Sequence, residues 1–323
     1  MNKAWLPNIL LYPSLAVILL ISSCSAKRSQ TGQNTGRNKI YIGQLSIDAD
    51  PALKSIISQE QFIFQSYHDS VQVTIEYKDE AAMFDDFRNK RVALLILSRM
   101  LTDKEKESLK NVDTIYTREL NVAYDAVALI GNKEFNDNTL TMDGLRADFN
   151  PKNTSKANDL PRMVFDKQNT SIVKYVLNLL GYTDQVSSNV YAVNSPTDVI
   201  DYVQGNKDAI GFIPYAIVSD RDDDSVKTLL NRIKILSLPA KDDSGRMVRT
   251  SANQSDIATG IYPLIRSINT VARYGYRDDL DLLFVNFLDK EKGARIFLKA
   301  GYVPNRIPER EINVNTDSLN IPD

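Results

Sequence analysis

The chain has 323 residues, one cysteine, one histidine and a nearly balanced charge of −2, from 39 Lys and Arg against 41 Asp and Glu. A single cysteine excludes an intrachain disulfide framework and cysteine-built zinc sites, and one histidine leaves few parts for the common nucleophilic or zinc-dependent active sites. The charges are dispersed along the chain and form no basic stripe, so nothing points to nucleic acid.

In chain order, Lys3 precedes an apolar run from Ile9 to Ile21. That run is too short to span a bilayer, which takes about 20 apolar residues, and it suits the core of a secretory signal. It ends at Ile21-Ser22-Ser23-Cys24, which resembles the lipobox of bacterial lipoproteins: a branched residue, two small ones, then the cysteine that is acylated. The resemblance implies a signal over residues 1–24, lipidation of Cys24, and a periplasm-facing location held to a cell-envelope membrane by lipid alone. Residues 25–38 are polar and rich in Ser, Thr, Gln, Asn and Gly, the composition of a disordered tether.

From Ile40 onward, strand-like and helix-like periods alternate, as expected of an α/β sheet with helices packed on it. A short strand over Ile40–Leu45 runs into Ser46-Ile47-Asp48. Leu53, Ile56, Ile57, Phe64 and Tyr67 then recur at helical spacing behind Asp50 as N-cap and Pro51 at the first helical position. An alternating strand (Val71, Val73, Ile75, Tyr77) and a short helix near 81–89 lead to the continuous apolar run Val92–Leu97, a strand buried on both faces that stops at Ser98-Arg99. Thr102 and Glu105 form a capping box.

The segment 124–130 reads as a second buried strand, and Met163–Asp166, Lys167–Ser171 and the helix carrying Ile172, Val176, Leu179 and Leu180 read as strand, polar turn and helix, closed by Gly181. Ser195-Pro196-Thr197-Asp198 opens another helix, Gly205 stops it, and Ala209–Ile213 is the next strand. Helices are expected at Tyr262–Ala272 and Asp278–Leu288, and a polar, disordered tail over 313–323. His68 and the acidic run Asp220, Asp222, Asp223 and Asp224 read as surface; the run lacks the glycine and distant glutamate of a calcium loop, so no metal and no cofactor is implied. Neither a phosphate-cradling G-x-x-x-x-G-K nor a G-x-S-x-G elbow is present, and the reading is of a binder, not an enzyme.

These landmarks, from Ser46 through Ser98, Tyr124–Ala128, Asn194-Ser195-Pro196, Ala209–Phe212 and Gly293 to Pro304, resemble the phosphate-type substrate-binding proteins of ABC importers, in the divergent lipoprotein form of Bacteroidetes-like bacteria. The resemblance implies a type II periplasmic-binding-protein fold: two α/β lobes joined by two crossover segments, lobe 1 from residues 39–122 plus 255–312 and lobe 2 from 123–254. It implies capture of a small oxyanion, phosphate or related, for an ABC permease. Carried over position by position, it places ligand contacts at Ser46, at Ser98 and Arg99, and at Asn169, Thr170 and Ser171. The match departs at each loop. Only the serine of the first loop remains, Arg99 stands where a proton-accepting carboxylate would be, and Val164 takes the place of an arginine, with Arg162 two residues earlier as a displaced clamp and Lys167 as a further cation. A buried polar site discriminates only when its groups are all paired by the ligand. Those departures leave room for a second reading, an interaction or sensing module of the envelope with an altered ligand site.

Overall fold

A computed structural model describes residues 41–153, 160–168, 170–183, 185–274 and 279–307. The signal, the lipidated cysteine, the tether and the tail expected from the sequence lie outside these residues. The strands are β1 (Gly43–Ala49), β2 (Val71–Tyr77), β3 (Leu94–Leu97), β4 (Thr117–Asn132), β5 (Arg162–Phe165), β6 (Val190–Ala192), β7 (Ala209–Pro214), β8 (Ile233–Ile235), β9 (Ser237–Lys241), β10 (Met247–Ser251), β11 (Ile265–Arg273) and β12 (Val303–Pro304). The helices are α1 (Lys54–Tyr67), α2 (Glu80–Arg88), α3 (Asp103–Asn111), α4 (Met142–Phe149), α5 (Ser171–Leu180), α6 (Pro196–Gly205), α7 (Ala216–Ser219), α8 (Asp224–Arg232), α9 (Gln254–Ala258), α10 (Asp279–Asp289) and α11 (Glu291–Lys299).

The main sheet runs in the order β2-β1-β3-β11-β4-β7-β5-β6, and β4 is the strand that makes it continuous. The first part of β4 pairs antiparallel with β11, and its last residues pair with β7 and β8. One strand of 16 residues therefore belongs to two packing environments. On one side, parallel β1, β2 and β3 are covered by Phe64 of α1 and by Phe284, Phe287 and Phe297 of α10 and α11, while Met83, Phe84, Phe87 and Leu109 of α2 and α3 form a separate cluster with Leu95 and Leu97. On the other, parallel β5, β6 and β7 pack beneath α4, α5 and α6, with Phe165 stacked on Phe212 at 4.5 Å between ring centres. The result is the two-lobed α/β architecture expected from the sequence, with β4 and β11 as the strands that cross between lobes.

The local signals explain the elements. Thr102 and Glu105 make the reciprocal capping box of α3, and Gly181 ends α5 with φ +85, a left-handed conformation that suits glycine. Two expectations are corrected. The segment Tyr262–Ala272 is not a helix: β11 occupies Ile265–Arg273, where Ile265, Ile268 and Val271 fall three apart and mimic a helical face because a bulge at Ile268/Asn269 breaks the two-residue alternation. The first strand does not end at Leu45 but continues to Ala49, so Ser46-Ile47-Asp48 is strand and the turn comes four residues later.

Candidate functional site

The C-terminal ends of β1, β5 and β7 open onto a cleft of about 1090 Å3, lined from lobe 1 by Asp50, Ala52, Asp79 and Glu80 and from lobe 2 by Asp166, Thr170, Ser171 and Ser195. Four helical segments begin at its walls. Asp50 Oδ1 accepts from Ala52 N at 2.9 Å ahead of the turn Pro51–Leu53 that leads into α1, and Asp79 Oδ1 accepts from Ala82 N at 3.1 Å at the head of α2. On the opposite wall Thr170 Oγ1 accepts from Val173 N at 3.4 Å and Ser195 Oγ from Asp198 N at 3.2 Å, capping α5 and α6. A helix start carries unpaired backbone N–H groups and partial positive charge, so the arrangement favours an anion.

Beneath the cleft, Asp125 of β4 and Arg266 of β11 stand opposite one another in register and form an ion pair with both side chains fully buried. Arg266 Nη1 also donates to Ser171 Oγ at 3.3 Å, which ties the crossover strands to the start of α5. Burial raises the Asp125 carboxyl against the pull of the guanidinium. Three atoms of this layer, Arg266 Nε, Asp125 Oδ1 and the Tyr302 hydroxyl, have no hydrogen-bond partner among the described residues.

A family model for the PBP superfamily domain matches residues 29–291. The chain belongs to that superfamily. No curated protein sequence matches this PBP domain. Among solved structures it is similar to an ABC-type phosphate transport receptor from Vibrio cholerae, at 16% identity over 80% of this chain and 99% of that one with a TM-score of 0.64. PstS from Borrelia burgdorferi is similar at 18% identity over 83% and 99%, with a TM-score of 0.56. At these identities the likeness is one of fold.

Within this PBP domain the six expected contacts separate. Thr170 and Ser171 line the cleft. Asn169 lies outside the described residues. Ser46 does not line it: the longer β1 places that side chain on an exposed face between buried Leu45 and Ile47, and the turn at the cleft is Asp50-Pro51-Ala52. Ser98 is buried and its hydroxyl donates to Asp50 Oδ2, so a carboxylate does stand beside this serine, supplied by a different segment from the one the sequence suggested. Arg99 is not among the residues lining the cleft: its guanidinium is shared between Glu80 (3.1 Å to each oxygen) and Glu105 (2.9 and 2.7 Å), joining α2 to α3. Arg162 sits at the start of β5, the strand end remote from the cleft, where it meets Asn206 Oδ1 at 2.6 Å and Asp208 at 3.4 Å.

Lys167 is at the cleft, as is Lys174, whose ammonium lies 4.0 Å from Glu80 across the opening. Sequence reasoning placed Asp50 and Ser195 only as helix caps and missed Arg266 entirely, because a segment read as a helix gives no reason to set its arginine opposite Asp125.

Proposed function

We propose that the chain is an extracytoplasmic solute-binding lipoprotein, anchored through Cys24 and the 25–38 tether. In this reading residues 39–122 plus 255–312 and residues 123–254 form lobes that enclose a small anion, phosphate or related, for delivery to an ABC importer. The observation that carries the reading is the convergence of α1, α2, α5 and α6 starts on one cleft between lobes. Closure over such a ligand removes water and strengthens each hydrogen bond to it. The two similar structures, a phosphate transport receptor and PstS, support the same direction.

A second reading is favoured by the commitment of Arg99 to two glutamates and of Ser98 to Asp50. Under it the fold serves as an envelope interaction or sensing module. Isothermal titration with phosphate, sulfate and small carboxylates separates the two: saturable heat at one-to-one stoichiometry is expected for the receptor, and no heat with any member of the panel contradicts it.

A further inference from the structure

The two walls of the cleft answer charge in opposite ways. In lobe 1 the short turn Pro51–Leu53 that leads into α1 and the start of α2 are capped by carboxylates of the chain itself, Asp50 and Asp79, so an anion already stands at each. Asp50 is 3% exposed and borders the cleft. Of the lysines on this wall, Lys78 is held by Asp48, Glu76 and Asp86 at 3.2, 2.7 and 2.6 Å and Lys54 lies over the Tyr77 ring at 5.7 Å, while Glu80 is taken up by Arg99. Two carboxylates of this wall are thereby left without a cationic side chain in salt-bridge contact among the described residues.

Lobe 2 is the reverse. Both of its helix starts are capped by neutral hydroxyls, Thr170 and Ser195; α5 has no acidic residue in its first turn, so its positive end is not cancelled, while α6 carries Asp198 there, and Lys167 and Lys174 stand beside them. The one carboxylate here, Asp166, is occupied locally by the Lys167 N–H at 3.0 Å and the Thr170 hydroxyl at 3.4 Å. Ser171 adds a directed donor. Its oxygen accepts from the fully buried guanidinium of Arg266, which turns the hydroxyl proton away from Arg266, and that guanidinium retains an unpartnered Nε. The cleft, about 1090 Å3, admits a solute larger than a bare tetrahedral anion.

We propose that the solute is a small zwitterion, with its anionic group against Thr170, Ser171 and Ser195 on one wall and its ammonium group against Asp50 and Asp79 on the other. The proposal rests on the cleft being a solute site. Isothermal titration of the full chain in detergent with inorganic phosphate, sulfate, phosphoethanolamine and alanine tests both levels, the last two probes distinguishing a phosphate from a carboxylate as the anionic end. One of the two zwitterions is expected to bind about tenfold or more tighter than either bare anion, the scale of one charge-assisted hydrogen bond.

Asp50→Asn keeps an oxygen to accept from Ala52 N and turns an amide N–H toward the Ser98 oxygen, which can accept it, while removing the charge; it should bring the affinity for the zwitterion down to that of phosphate measured on the same variant, and Asp79→Asn provides the same test at the second cap. Ser171→Ala should weaken zwitterion and phosphate alike. Phosphate or sulfate binding as tightly as both zwitterions overturns the zwitterion and leaves the receptor standing. A zwitterion preference that survives both Asp50→Asn and Asp79→Asn also overturns it. Silence from every probe and from the wider anion panel overturns both.

Discussion

Glu60 lies on the buried face of α1 between Ile57 and Phe64, fully excluded from solvent, and neither carboxyl oxygen finds a hydrogen-bond partner among the described residues. Burial alone pushes its carboxyl from the ordinary 4.5 up to about 9. At neutral pH the folded chain therefore keeps the proton that the unfolded chain has lost. Because the folded value is the higher, stability is independent of Glu60 below pH 4.5, falls as the pH rises, and levels off above about 9. Over the interval from 4.5 to 7, at about 1.4 kcal/mol per pH step, the loss is on the order of 3 kcal/mol at pH 7. Glu60→Gln carries no titratable proton and keeps a neutral polar group of the same size. Urea denaturation of both proteins from pH 4.5 to 9 should give equal stabilities at the acid end and a gap that widens to about 3 kcal/mol in favour of the variant at pH 7. Parallel curves would refute the reasoning, since they would mean that Glu60 ionises in the folded chain as readily as in the unfolded one.

Three further outcomes are expected. Arg266→Met strands the Asp125 carboxylate in the interior and should cost about 3–5 kcal/mol in urea denaturation, while the double variant Arg266→Met/Asp125→Leu should recover much of it. Gly293→Ala would press a Cβ against the Phe287 carbonyl oxygen and place it 2.7 Å from Leu288 Cα, backbone that cannot yield cheaply, and should lower Tm through an overpacking cost of roughly 1–3 kcal/mol in stability; Gly205→Ala, with nothing within 4 Å, should not. Cys24→Ser should abolish palmitate labelling and move the chain from the membrane to the soluble fraction; retention on the membrane would contradict the lipid anchor.

The α/β order was legible because buried parallel strands such as β3 read as unbroken apolar runs and the helices carry their caps in the sequence, as at Thr102, Thr170 and Ser195. β11 was not. It is a crossover strand whose buried positions include Arg266, Asn269 and Thr270, polar residues that a period-based reading assigns to solvent and that are inside only because β3 and β4 flank them. The same gap hid the Arg266–Asp125 pair, since its members are 141 residues apart and meet through sheet register.

At the cleft, Thr170 and Ser171 were recoverable because they lie in a polar turn between an apolar strand and an amphipathic helix. Ser46 misled because alternation alone does not say where a strand stops: Asp48 is fully buried, near Lys78, and reads in sequence as a turn residue. Arg99 misled because a cation beside a strand end suggests an anion, and its partners, Glu80 and Glu105, come from two other elements that only the fold brings together.

On the proposed function, the start of α5, backed by Arg266, receives the negative end of a small solute. A crystal of the chain grown with phosphoethanolamine at saturating concentration tests it most directly. The account predicts density for the phosphate group within hydrogen-bond distance of Ser171 and Thr170, with the lobes closed on it. A crystal in which that density is absent from the cleft, with Ser171 contacting only Arg266, would contradict it.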